Sequence, residues 1–137
     1  MKYDSMYMDI AVRVSKESHC PRKQVGCAIV TETQMVATGL NGMASGGPND
    51  WEYTENGNPE VVHAELQALG KMLEQGVSAK DSTVYVSLSP CLDCAKLLVR
   101  AKVKRVVYLE DYRKTEGLDY LRKYKVNVEQ FKGEQND

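Results

Sequence analysis

Two short segments carry residue types that can do chemistry together: His63-Ala64-Glu65 and Pro90-Cys91-Leu92-Asp93-Cys94. Each is expected at the start of a helix, after a loop or a strand end. Cysteines three apart share one side of a helical turn, so the thiols of Cys91 and Cys94 converge. Pro90 suits a helix start, where its missing N–H would find no partner anyway. If the two helices lie side by side on one sheet face, their N-termini meet and bring His63 to the two cysteines. One His and two Cys suit Zn²⁺, which takes nitrogen and thiolate sulfur in tetrahedral geometry. A fourth protein ligand is not evident, which leaves room for water, the mark of a catalytic rather than a structural zinc. Zinc lowers the pKa of bound water to about 7 and so supplies hydroxide at neutral pH. The positive ends of the helices also favour the two thiolates. Glu65, two residues past His63, need not bind metal and can carry protons between water and a substrate. The plainer readings are a redox Cys-x-x-Cys pair, half of a structural zinc site, or a histidine that only starts a helix. A redox pair wants a thioredoxin-like context, which is missing, and a structural site would have to draw its fourth ligand from His19, Cys20 or Cys27.

The elements that must position these residues follow from periodicity and turn residues. Met6 to Glu17 has helical spacing, with Met6, Ile10 and Val14 on one stripe and Tyr7 and Ala11 beside it. Val25 to Val30 and Met35 to Leu40 are apolar, β-branched runs, and the polar Thr31 to Gln34 between them predicts a hairpin. Asn41 to Pro59 is rich in Gly and Pro and reads as one ordered loop. Val62 to Gln75 is helical, with Leu66, Leu69 and Leu73 on one face and Gly76 as its stop. Ser82 to Ser87 and Arg105 to Leu109 read as strands, with a helix from Cys91 to Lys102 between them, its Ala95, Leu98 and Val99 inward. Glu116 to Tyr124 is a further helix, Val126 to Glu129 a short last strand, and Gly133 to Asp137 a polar tail. Alternating helix and strand after a hairpin implies an α/β domain with a partly parallel sheet covered by helices, its last two strands parallel. The expected organisation is one domain over residues 1–132 and the tail 133–137.

Composition bounds the partners. The chain has 137 residues, 18 Lys plus Arg against 19 Asp plus Glu, and a formal net charge of -1. That excludes a broadly basic surface for long nucleic acid but leaves room for a local cationic pocket. No apolar run approaches a membrane span, and Met1 to Ser5 has no signal-peptide pattern. A cytosolic, reducing location is therefore expected. Cys20 and Cys27 then read as buried or half-buried thiols.

The order His-x-Glu followed by Pro-Cys-x-x-Cys is a signature of zinc-dependent nucleobase deaminases. The stretches Cys20 to Gly26, Gly39 to Met43, His63 to Leu66 and Tyr85 to Lys96 together resemble the deoxycytidylate (dCMP) deaminases, and are most similar to the short bacterial and bacteriophage forms. The resemblance implies a three-layer, cytidine-deaminase-like fold, a five-stranded mixed sheet with helices on both faces. It implies hydrolysis of dCMP to dUMP and ammonia, which feeds thymidylate synthesis. It implies one zinc per chain on His63, Cys91 and Cys94, with Glu65 as proton shuttle to N3 and to the leaving amine. Ala64, Ser89 and Pro90 then fall at the pyrimidine, and Asn41 at the sugar, although Asn-Gly is also a turn dipeptide. Arg22 and Arg113 become candidates for the 5′-phosphate, Arg113 over the pocket mouth, and Tyr112 for stacking on the pyrimidine or walling off its position 5. Family members are often hexamers activated by dCTP and inhibited by dTTP, and Asn41, Gly42 and Gly46 match part of that effector site.

Three departures stand against the family pattern: Ala44 replaces a common Pro, Gln67 replaces a common Asn, and the insertion that carries a second, structural zinc in some phage forms is absent. Rival readings are deamination of 5-methyl- or 5-hydroxymethyl-dCMP, of transfer-RNA adenosine, or of free cytidine, and a non-catalytic zinc module. The charge of -1 argues against RNA. The intact Glu65 argues against a merely structural zinc.

Overall fold

The computed structural model describes residues 2–44, 46–47 and 58–133. The centre of the expected 41–59 loop and residues 134–137 of the expected tail lie outside them. Nine elements follow in the order α1 (Asp4–Ser15), β1 (Gly26–Val30), β2 (Val36–Leu40), α2 (Ala64–Gln75), β3 (Thr83–Leu88), α3 (Leu92–Arg100), β4 (Arg105–Glu110), α4 (Glu116–Lys123) and β5 (Asn127–Gln130). The strands form one open sheet in the order β2-β1-β3-β4-β5. β1 is antiparallel to both β2 and β3, while β3, β4 and β5 run parallel. The hairpin closes as expected: the Gln34 N–H donates to the Thr31 carbonyl at 2.9 Å, and Gln34 takes the left-handed φ of 69°.

Strand alternation divides the core into two layers. Cys27 and Ile29 of β1, Val84 and Val86 of β3, and Val106 and Tyr108 of β4 face α2, α3 and α4. Ala28, Val30, Tyr85 and Val107 face α1 on the other side. Helices therefore cover both faces, one against three. Successive strand side chains point to opposite faces, so two apolar layers require the near-continuous apolar strands seen here.

Two helix faces depart from the sequence expectation. α1 buries Tyr7, Met8, Ala11 and Ser15, while Met6 is exposed. α2 buries Ala64, Glu65, Ala68, Leu69 and Met72, and Leu73 is 83% exposed. Both helices turn small residues inward because their backbones run close to the sheet. At Gly26 a β-carbon would stand 2.0 Å from the Ala11 carbonyl oxygen, and at Gly39 another would stand 2.3 Å from the Ala64 oxygen. Such spacing admits alanine and excludes leucine.

At the end of the sheet where β3 and β4 begin, Arg105 joins four elements. It makes paired hydrogen bonds to Asp4 of α1 at 2.8 and 2.6 Å and to Glu129 of β5 at 3.1 and 2.7 Å. The Tyr85 hydroxyl of β3 donates to Asp4 at 2.6 Å. The opposite end, where β3 and β4 finish, is left for the site.

Candidate active site

His63 and Cys91 occupy equivalent places in the fold. Each is the extended residue that opens a helix, His63 at φ −68°, ψ 154° before α2 and Cys91 at φ −72°, ψ 171° before α3. Neither side chain caps its helix. An isolated bridge fixes the approach to α2: the Gly42 N–H donates to the Val62 carbonyl at 3.1 Å and the Val62 N–H to the Gly42 carbonyl at 2.7 Å. This bridge closes the base of the long loop one residue before His63. The approach to α3 is equally tight. The Ser89 N–H donates to the Glu110 carbonyl at 2.9 Å, and its hydroxyl accepts the Tyr112 N–H at 2.6 Å.

The helix starts bring three donor atoms together. His63 Nδ1 lies 3.3 Å from Cys94 Sγ and 3.5 Å from Cys91 Sγ. All three donors fall within 4.8 Å of one another. Zn–N bonds of about 2.0–2.1 Å and Zn–S bonds of about 2.3 Å at a tetrahedral angle separate N from S by about 3.5 Å, so this set fits zinc. The electrostatics agree. Cys91 is drawn down to about 3, chiefly by the Cys94 thiol hydrogen bond and further by His63. Cys94 is pushed up, first by that same bond and then by burial. His63 is raised, mainly by its bond to Cys91. The pair holds one thiolate and one thiol, and a bound metal would deprotonate the second.

Glu65 is buried in the first turn of α2, and burial raises its carboxyl to about 7. It opens on a cleft of about 360 Å³, a size suited to a small ligand. His63, Ala64, Cys91, Ser89, Asn41, Arg22 and Tyr112 line the same cleft. Pro90 is fully buried behind it. Arg113 is exposed and, like Gly42 and Gly46, is not among the lining residues. Asn41 is largely occupied. Its Oδ1 accepts from Ser18 Oγ at 2.8 Å and the Val25 N–H at 2.9 Å, and its Nδ2 donates to the Lys23 carbonyl at 2.7 Å. Cys20 and Cys27 are buried, as expected, but Cys20 also lines the cleft. Cys27 keeps its proton, because burial and then the Glu65 charge raise its pKa. Sequence reasoning missed Lys23, Asn58 and Pro59 in the lining. Lys23 carried a signal, since it is the neighbour of Arg22, whereas Asn58 and Pro59 sit in a loop without periodicity.

The cysteine end depends on Gly117 near the start of α4. A β-carbon there would stand 2.1 Å from the Pro90 oxygen and 2.9 Å from the Cys91 carbonyl. Those contacts are backbone and cannot swing away. Gly117→Ala is therefore expected to shift Cys91 and lower zinc affinity about tenfold to a hundredfold, the range seen when support of a metal ligand is lost. Competition with a chromophoric chelator measures this, and an unchanged affinity would show that α4 does not hold the ligand.

The profile of the cytidine and deoxycytidylate deaminase zinc-binding region matches residues 1–110. The chain belongs to this deaminase family. Mouse deoxycytidylate deaminase is 35% identical over 120 residues, which cover 81% of this chain and 66% of the mouse protein. The chain thus spans slightly less than two thirds of that relative. The deoxycytidylate deaminase of Enterobacteria phage T4 is 31% identical over an alignment of 154 residues, covering 82% of this chain and 80% of the phage protein. That alignment is longer than the 137 residues of this chain, so the chain lacks residues that the T4 relative inserts. The crystal structure of the cyanophage S-TIM5 dCMP deaminase in complex with dCMP and dUMP superposes with a TM-score of 0.88 at 38% identity, covering 95% of this chain and 97% of that one. The expected fold is the family's, and the His63, Cys91 and Cys94 cluster is the part of this chain able to hold a zinc.

Proposed function

We propose that the chain hydrolyses dCMP to dUMP and ammonia, with His63, Cys91 and Cys94 as zinc ligands and Glu65 as the catalytic acid and base. The observation that carries this reading is a buried carboxyl, raised to about 7, opening with the His63 and Cys91 donors on one cleft. The close relation to a dCMP deaminase caught with dCMP and dUMP supports the substrate. Bound zinc supplies the Lewis acidity that lets water ionise near neutral pH. Glu65 does the proton work. It accepts a proton as the water oxygen adds to C4 and passes it to N3. It then carries the remaining hydroxyl proton to the amine, and the C4–N bond breaks to release ammonia. A carboxyl near 7 suits both directions, because neither transfer runs far uphill at neutral pH.

The other residues bind and orient. Ala64 presents backbone to the pyrimidine edge, and Ser89 and Pro90 hold the cysteine side of that edge. The remaining N–H of the Asn41 amide is available to the sugar. Arg22 meets the 5′-phosphate, and Tyr112 closes the mouth. Arg113 serves phosphate only if the 111–115 segment turns inward. Residues 1–132 act as one domain with 133–137 as a tail. A homo-hexamer with dCTP and dTTP control through Asn41, Gly42 and Gly46 is the fuller form of the proposal. Cytosolic residence fits the free state of all four cysteines. No described helix is long and apolar enough to cross a membrane.

Ammonia release decides between this substrate and its rivals. A panel of dCMP, 5-methyl-dCMP, deoxycytidine, cytosine and a transfer-RNA stem-loop, each with and without dCTP, is expected to favour dCMP. Its kcat/KM should exceed that of deoxycytidine by about a hundredfold or more, the penalty for leaving charged donors without their anion. Equal values would refute a phosphate pocket.

A further inference from the structure

We infer that Lys23 and Glu110 form an exchangeable ion pair that reads the substrate's 5′-phosphate. The inference rests on the dCMP reading above. Lys23 lines the cleft next to Arg22 on the segment before β1, and its ammonium pairs with the Glu110 carboxylate at the end of β4. Both backbones are pinned to the site. The Lys23 carbonyl accepts from Asn41 Nδ2 at 2.7 Å, and the Glu110 carbonyl accepts the Ser89 N–H at 2.9 Å. The pair therefore links the segment that carries Arg22 to the segment that carries Tyr112.

The pair is built to open. The Lys23 and Glu110 side chains are 51% and 53% exposed, and ion pairs so wetted contribute little stability. A phosphate monoester brings more charge than a carboxylate and three acceptor oxygens. Lys23 can turn on its long stem from Glu110 to a phosphate in the cleft, because its carbonyl stays fixed while the side chain rotates. Glu110 then acts on binding through Lys23, because it competes for the ammonium. It is a specificity-determining residue that weakens phosphate capture, while Lys23 strengthens it.

This assigns the two partners opposite signs, which a purely structural ion pair would not have. Lys23→Gln should raise the KM for dCMP about tenfold, the loss of a hydrogen bond to a charged group. Glu110→Gln should lower that KM about threefold, the small worth of an exposed pair. In the double variant the Glu110 effect should vanish, since no ammonium is left to compete for. The ratio of kcat/KM for dCMP over deoxycytidine should fall in the Lys23 variant and rise in the Glu110 variant. Steady-state ammonia release on both substrates, with the four proteins loaded with zinc, reads all of this. If both single variants raise KM, or if the Glu110 effect survives without Lys23, the pair is structural and the inference fails. If the unmodified protein itself shows no preference for dCMP over deoxycytidine, the underlying substrate reading fails instead.

Discussion

Glu65→Gln is expected to lower kcat on dCMP by about 10³–10⁴-fold while zinc stays at one per chain. The magnitude is that of a general acid–base group asked to move protons in both halves of a reaction. The amide keeps the size and polarity of the carboxyl, so the first turn of α2 retains its packing against β1 and β2. Its oxygen can still accept a hydrogen bond, but it cannot take a proton at neutral pH. The residue lies two positions from His63 and is not among the three clustered donors, so the metal should remain. KM should change far less than kcat, because Glu65 acts on protons that move only during the reaction. Metal content by atomic absorption, beside single-turnover deamination, separates the outcomes. Loss of zinc would make Glu65 a support of the metal site. Turnover within tenfold of the unmodified protein would remove it from the proton path.

What could be read from the chain, and what could not, divides by the range of the interaction. The His63, Cys91 and Cys94 cluster was legible because two local patterns each place a donor at a helix start, and helix starts converge at one end of such a sheet. All nine elements were legible too, because each carries a local pattern of apolar spacing and turn residues, although the strands pair over long range. The inward face of α3 was legible as well, with Ala95 and Leu98 buried, but the faces of α1 and α2 were legible only in part. Periodicity put Met6, Ile10 and Val14 on the α1 stripe with Tyr7 and Ala11 beside it, and Leu66, Leu69 and Leu73 on the α2 face. The structure buries Tyr7, Ala11 and Leu69 of these, adds Ser15, Ala64 and Ala68, and leaves Met6 and Leu73 exposed, because Gly26 and Gly39 draw the helix backbones onto the sheet. A hydrophobic stripe ranks side chains by size and says nothing of how near two backbones lie.

Asn41 illustrates a second limit. Its neighbour Gly42 suggested a turn, and the family resemblance suggested a sugar contact. The structure adds a third use, since one amide ties Ser18, Lys23 and Val25 into the wall that carries Arg22. These partners are 16 to 23 residues away, beyond any local pattern. The same holds for Lys23 and Glu110, which stand 87 residues apart. Binding-site walls of this kind are assembled by topology, so their chemistry emerges only once strand order is known.

A contact between residues 101 apart in sequence makes the largest stability prediction. Arg105→Met is expected to cost about 3–5 kcal/mol at pH 7, because it takes the paired guanidinium bonds away from the buried carboxylate of Asp4. For a chain of this size that is roughly a 10–20 °C fall in Tm. Burial by itself raises the Asp4 carboxyl, but the bonds from Arg105 and Tyr85 outweigh it and hold the group well below the usual carboxylate range. Glu129 is lowered too, chiefly by Arg105, but its side chain is 45% exposed and its share is small. A carboxyl lowered in the folded state binds fewer protons there than in the unfolded chain. Its stabilisation is complete above the unfolded pKa of about 4 and is lost as the pH falls below that value. In the Arg105 variant the Tyr85 bond and the other partners of Asp4 remain, but burial counts for more, so the Asp4 carboxyl rises and the pH-dependent stabilisation shrinks. The difference in stability between the two proteins should therefore be widest at pH 7 and narrow below about pH 4. Asp4→Asn added to Arg105→Met should recover part of the loss, since a neutral amide can keep the Tyr85 bond without a buried charge. Urea unfolding across this pH range, at fixed zinc and protein concentration, measures all three. A loss under about 1 kcal/mol, or one that does not vary with pH, would mean that water reaches Asp4 and the pair is not the anchor of α1.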